Sequence, residues 1–198
     1  MNAMNAMNAM NARVPVLIII GPVGIGKSSA ADAVSEILEY DHAVPHAVVD
    51  LDHVRRGYPP PEEDPFNMAL GFSNLAAIWP NYRRAGAACL IIPSVMESRD
   101  DLDRVRQSVP GADLFLVRLT ASLDVNHARI RGREKTVESL NWHLNRSAQL
   151  AEELAAKQLE DAVIDTENKT PSDIAREIIR LWGIVEWHGS TVDGSSSP

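Results

Sequence analysis

Short, almost wholly apolar runs alternate along this chain with longer segments in which apolar residues recur every three to four positions. The runs at 14–20, 46–50, 87–92, 113–119 and 161–165 have strand length and are apolar enough to be buried on both faces. Between them, 27–39, 67–85, 99–107, 123–131, 137–158 and 171–182 read as helices. Thr170-Pro171 supplies an N-cap followed by proline at the first helical position, and Gly183 supplies a stop. Pro80 falls inside the second of these helices, which should kink or divide there, near Trp79. Strand and helix in this alternation predict an α/β fold of three layers, a five-stranded parallel sheet with helices on both faces. Ligands then belong at the carboxyl ends of the strands.

The end of the first strand carries the clearest chemistry. Gly21-Pro22-Val23-Gly24-Ile25-Gly26-Lys27-Ser28 is a complete P-loop, lying between a predicted strand and a predicted helix as that motif requires. Gly21, Gly24 and Gly26 permit backbone conformations that turn successive N–H groups inward around phosphates, with Val23 and Ile25 completing the loop. The helix N-terminus near Lys27 adds its positive end. Lys27 reaches the β- and γ-phosphates, Ser28 is the expected Mg²⁺ ligand, and Ser29 is placed to hydrogen-bond the α-phosphate. A nucleoside triphosphate is the implied ligand.

Composition narrows the partners. The chain has 198 residues, 45% hydrophobic and 23% charged, with a formal net charge of −8, which fits one globular domain. That charge argues against a nucleic-acid or anionic-membrane partner and leaves room for a local basic pocket. Cys89 is the single cysteine, so neither an intrachain disulfide nor a cysteine metal cluster is available, and a reducing cytoplasm is the expected setting. Residues 1–12 repeat Met-Asn-Ala without a basic or apolar signal region, and read as a disordered leader. The Ser- and Gly-rich residues 188–198 read as a disordered tail, which leaves a folded unit over about 13–187, monomeric or homodimeric.

The second strand ends in Asp50-Leu51-Asp52-His53-Val54-Arg55-Arg56-Gly57, at the rim where a γ-phosphate arrives. A carboxylate there can accept the proton of an attacking hydroxyl, and Arg55 can pair with an anionic group. Either aspartate can equally serve as a helix N-cap. Phe66 and Asn67 lie within the segment 58–72 that should fold over an acceptor. Glu97 and Arg99, after the third strand, are further candidates for that pocket, or for helix-start chemistry.

This stretch resembles the Asp-Gly-Asp-Asn-Val-Arg-x-Gly segment of adenylylsulfate kinases, and its Asp-x-Asp element is similar to that of shikimate and gluconate kinases. Chloramphenicol phosphotransferases likewise place an aspartate after this strand as base for a hydroxyl acceptor. Leu70-Gly71-Phe72-Ser73 and Ala85-Gly86 also resemble adenylylsulfate kinase stretches. Leu51 stands where that family has glycine, Ala76-Ala77 where it has Asp-Arg, and its Lys-Gly-Leu-Tyr lid signature is absent. The resemblance therefore implies a superfamily, the P-loop small-molecule kinases, and names no substrate. It implies Asp52 as the acceptor-activating residue and Arg55 as a substrate contact. It also implies a lid near 129–136, with one arginine packing on adenine and another neutralising transferred charge. Arg129 and Arg133 fit those places, four apart and on one face if the helix continues through Gly132.

The third strand lacks the aspartate of a strong Walker B element, so Mg²⁺ would rest on Ser28, phosphates, water and Asp50. Asn168-Lys169 is followed three positions on from Asn168 by Pro171, which departs from a guanine reader and favours ATP. Trp79 and Trp142 read as core or pocket wall, and His53, His127 and His143 as surface or helix residues without metal-ligand spacing. The sequence thus points to an ATP- and Mg²⁺-dependent kinase acting on a hydroxyl of a small molecule such as a metabolite, nucleoside or antibiotic. Lys27, Asp52 and Arg133 carry the chemistry. A nucleoside or nucleotide kinase, and a nucleotide-binding regulator without phosphotransfer, are the alternatives.

Overall fold

The computed structural model of the protein describes residues 13–193, with side chains through residue 189. The Met-Asn-Ala leader and residues 194–198 lie outside the described residues.

Five parallel strands stand in the order β2-β3-β1-β4-β5. They are β1 (Val14–Ile20), β2 (His46–Val48), β3 (Cys89–Pro93), β4 (Ala112–Thr120) and β5 (Ala162–Asp165). Between and after them lie α1 (Lys27–Tyr40), α2 (Leu51–Val54), α3 (Met68–Arg84), α4 (Arg99–Ser108), α5 (Leu123–Arg133), α6 (Val137–Lys157), α7 (Pro171–Trp182) and α8 (Ile184–Asp193). β1 occupies the centre, pairing with β3 through Leu17↔Ile91 and with β4 through Leu17↔Phe115. Every one of its residues is buried, as its unbroken apolar run requires.

Alternation along β1 divides the core in two. Leu17 and Ile19 face α1 and α7, meeting Ala31, Val34, Leu38, Ala175 and Ile178. Val16, Ile18 and Ile20 face the other way, toward Phe72, Leu75 and Trp79 of α3, Leu102 and Val105 of α4 and Leu154 of α6. Cys89 is fully buried, and burial pushes its thiol up to about 12, which removes thiolate chemistry at neutral pH.

Three local expectations change. β2 stops at Val48 because Asp50 caps a short helix, its Oδ1 accepting from the backbone N–H of Asp52 at 2.9 Å and of His53 at 3.3 Å. Helix α3 passes through Pro80 without dividing. Pro80 and Ala76, whose carbonyl loses its helical donor, are both exposed, so water can satisfy that carbonyl. Finally, α8 extends to Asp193, beyond the boundary expected at 187. Gly183 does stop α7, in the left-handed conformation at φ 68°, and Thr170 and Asp173 form a reciprocal capping box at its start.

Ile178 sits fully buried between α7 and the sheet. Ile178→Ala is expected to destabilise the fold by about 2–5 kcal/mol, seen as a lowered urea midpoint at unchanged m-value.

Candidate functional site

A cavity of about 880 Å³ opens at the carboxyl ends of the strands, toward the upper end of the size range of small-ligand pockets. Its floor is the loop 23–29, from Val23 through Gly26 to Ser29. Asp52, Arg55, Phe66 and Glu97 border one end, and Arg129 and Arg133 border it from α5. These predicted residues are therefore brought together from five separate stretches of chain.

The loop is shaped by close packing. Gly24 has φ 85°, and a Cβ there would lie 2.4 Å from Cγ1 of Ile130. Glycine is required at that position both by backbone conformation and by the pressure of α5. Asn126 of α5, nearly wholly buried, donates through Nδ2 to the Val23 carbonyl at 3.0 Å and to Ser147 Oγ at 2.6 Å. Arg129 donates to Thr166 Oγ1 at 2.8 Å, to the Thr166 carbonyl at 3.0 Å and to the Ile25 carbonyl at 3.3 Å. Gly21 lies behind the loop, where a Cβ would stand 2.7 Å from the Leu119 carbonyl.

Lys27 folds back over the loop, its Nζ donating to the carbonyls of Gly21 at 3.0 Å and Pro22 at 3.2 Å. Burial lowers its pKa to about 8, against the opposing pull of Asp52 and Asp50. Ser28 presents an exposed hydroxyl that donates to Asp50 Oδ2 at 2.9 Å. A hydroxyl beside a carboxylate at a helix N-terminus is a donor set that would suit a hydrated Mg²⁺. Among the described residues no group of three or more His, Cys, Asp or Glu side chains is placed to hold a metal ion.

Asp50 and Asp52, two apart, go to different places. Asp50 is spent on the α2 cap and on Ser28, and it borders a small neighbouring cleft instead of the main cavity. Its expected contact with substrate is corrected to a supporting position under Ser28. Asp52 faces the cavity and accepts from Arg55 Nη2 at 2.6 Å. Arg55 also approaches Met68 Sδ at 2.6 Å.

Two further expectations fail. Asn67 does not border the cavity. It adopts the left-handed conformation at φ 51° before α3 and donates to the Gly57 carbonyl at 3.1 Å, pinning the loop. Arg99 points outward from the first turn of α4. The capping box of Ser98 and Asp101 turns the chain there, with Asp101 Oδ2 accepting from the Glu97 and Ser98 backbone N–H groups at 3.0 and 3.1 Å. Glu97 is left aimed inward and Arg99 outward.

On α6 the sequence marks Trp142 as core or pocket wall but not Arg146 or Leu150. Trp142, Arg146 and Leu150 border the cavity together with His143. Arg146 pairs with Glu97 through Nη2 and Oε1, and its guanidinium lies 5.9 Å from the centre of the Phe66 ring. The 142, 146, 150 row, at helical spacing, was the available signal. His143, expected as a surface or helix residue, lies in α6, 3.3 Å from Glu134. Lys169, Pro171 and Ile174 border the cavity near the α1 end of the loop.

Gly24→Ala is expected to weaken nucleotide binding by roughly tenfold or more, through a strained φ and the clash with Ile130. Adding Ile130→Ala should recover only part of it, since the backbone strain stays. Titration of a fluorescent ATP analogue measures both, and unchanged affinity in the single variant would refute this account of the loop.

No protein-family model and no curated protein matches the chain. Solved structures do. A tunicamycin resistance protein from Deinococcus radiodurans is 24% identical, with 86% of this chain and 96% of that chain aligned at a TM-score of 0.55. A gluconokinase from Sinorhizobium meliloti is 22% identical over 94% of this chain and all of that chain (100%), at 0.55. The APS kinase CysC of Mycobacterium tuberculosis, solved with AMPPNP and APS, is 18% identical over 86% of this chain and 98% of that chain, at 0.54. At these identities the likeness is one of architecture, and it agrees with the parallel sheet and loop described above. The chain has the α/β fold that these solved structures share, a parallel sheet with helices on both faces.

Proposed function

We propose that the protein is a kinase that transfers the γ-phosphoryl group of ATP to a hydroxyl of a small molecule. The observation that carries this reading is the position of Asp52. It borders the same cavity as Lys27 and the phosphate loop, held by Arg55 and left free of the helix cap that Asp50 supplies. A passive nucleotide binder needs no such carboxylate. That solved structures of like fold include a gluconokinase, an APS kinase and a shikimate kinase supports the reading.

In this reading the inward N–H groups of the loop and the positive end of α1 hold the triphosphate. Lys27 exchanges its contacts with the Gly21 and Pro22 carbonyls for phosphate oxygens. Ser28, backed by Asp50, would hold a hydrated Mg²⁺, which would supply charge neutralisation at the phosphates. Arg55 engages Oδ1 of Asp52, which leaves Oδ2 to take the proton of the acceptor hydroxyl. The acceptor oxygen bonds to γ-phosphorus, the bond from γ-phosphorus to the β,γ-bridging oxygen breaks, and ADP leaves with that electron pair. Arg133, at the α5 end, faces the charge that develops in transfer, while Arg129 is tied to Thr166 and Ile25 at the nucleotide end.

Asp52→Asn is expected to bind ATP normally and to transfer phosphate roughly 10²-fold more slowly. The measurement is coupled ADP release across hydroxyl-bearing metabolites, nucleosides and antibiotics, beside ATP affinity for the same proteins. Transfer at the wild-type rate would reduce Asp52 to a surface carboxylate.

The lowered pKa of Lys27 yields a second expectation. Triphosphate favours the charged lysine, so binding raises a pKa that stands at about 8 in the free protein and must draw in protons near that pH. Calorimetry at pH 8 in buffers of different ionisation heat should show uptake of about half a proton per ATP, with affinity falling as pH rises further. Lys27→Arg, whose charge does not titrate, should bind without that uptake.

A further inference from the structure

The end of the cavity away from the phosphate loop combines apolar surface with charges that are already matched. Phe66 and Trp142 are half-exposed at its mouth, 46% and 50%, with Met68, Val95 and Leu150 behind them. Its two arginines are each only 17% exposed and each faces a carboxylate. Arg55 meets Asp52 at 2.6 Å. Arg146 meets Glu97 and lies 3.6 Å from Glu153, and Lys157 stands 4.0 Å from the other Glu97 oxygen. Asp101, the remaining carboxylate, is taken up by the Ser98 cap.

An anionic acceptor entering here would have to displace Asp52 or Glu97 from its arginine, leaving a half-buried carboxylate beside the new negative charge. Selectivity of this kind comes from the group left unpaired in the wrong complex as much as from contacts in the right one. An uncharged acceptor meets no such obstacle. Its hydroxyl can approach Asp52 while a flat or apolar body lies against Phe66 and Trp142. We propose that the acceptor is an uncharged hydroxyl compound with an apolar or aromatic body, and that the Glu97–Arg146 pair sets the preference against anions. The kinase reading is needed here only for the direction in which the hydroxyl points.

The test uses matched probes that differ by one charged group, p-nitrophenyl β-glucoside against its glucuronide and uridine against UMP. Binding is measured by calorimetry with AMPPNP and Mg²⁺ saturating the phosphate loop. In wild type, the neutral member of at least one pair should bind tenfold or more tighter than its anionic partner. In Glu97→Gln, where Arg146 is released, that ratio should fall to near one or invert, a change that general loosening of the pocket would not produce. Equal or tighter binding of the anionic members to wild type overturns the proposal, as does failure of both neutral members to bind. A ratio unchanged in Glu97→Gln removes the pair from its role. The wild-type comparison stands even if the variant folds poorly. Since binding is read without transfer, a neutral probe that binds yet releases no ADP from ATP would count against the kinase reading and leave the selectivity intact.

Discussion

The packing of helix α5 onto the phosphate loop is the constraint on which the rest of the site depends. Ile130 leaves room only for a glycine at position 24, Asn126 holds the Val23 carbonyl, and Arg129 holds that of Ile25. These contacts fix the loop from outside the sheet, while β1 fixes it from below. The same Asn126 reaches Ser147 on α6, so the helix carrying Trp142 and Arg146 is registered on the loop through one amide. A displacement of α5 would move both ends of the cavity together.

Electrostatics follows from that arrangement more than from overall charge. The chain is acidic as a whole, yet the end of the cavity at the loop gathers Lys27, Arg129 and Arg133. Of these, Arg129 is committed to Thr166 and Ile25, and Lys27 to two backbone carbonyls. The Lys27 bonds are to uncharged acceptors in a partly buried place, which is why burial outweighs the nearby carboxylates in its titration. The far end is different in kind, with each arginine beside a carboxylate. Arg133 lies 3.1 Å from Glu134, so what distinguishes the loop end is that Lys27 and Arg129 bond uncharged acceptors, whereas Arg55 and Arg146 each meet a carboxylate.

Much of this was legible in the chain because local signals agreed with one another. The β1 run, the P-loop and α1 reinforce each other, as do Thr170, Pro171 and Gly183 around α7, and these elements stand where the pattern predicts them. What escaped depends on rotation about a helix axis or on contacts between distant segments. The pattern marked 137–158 as a helix, but its apolar residues did not decide that Trp142, Arg146 and Leu150 would turn to the cavity. Arg99 and Glu97 were indistinguishable as neighbours in sequence until the Ser98 and Asp101 cap set one inward and the other outward. Asn67 looked like a polar loop residue over a pocket, whereas its left-handed backbone and its bond to Gly57 give it a role in holding the loop.

The two aspartates after β2 show why a motif can be read correctly as a pair and still be ambiguous residue by residue. An N-cap residue turns its side chain back onto the N–H groups of the first turn, whereas a residue two positions later lies on the helix surface. Asp50 in the first place satisfies the start of α2 and reaches Ser28. Asp52 in the second cannot do so and is turned toward the cavity. A spacing of one residue would place the second carboxylate at the first helical position, and a spacing of three would carry it further round the turn, away from Arg55 as it is now paired. The Asp-x-Asp spacing thus sends one carboxylate to the helix cap and the other to the cavity, using the geometry of one short helix. The cap reading is met by Asp50 alone, which leaves Asp52 as the carboxylate on which the proposed acceptor role rests.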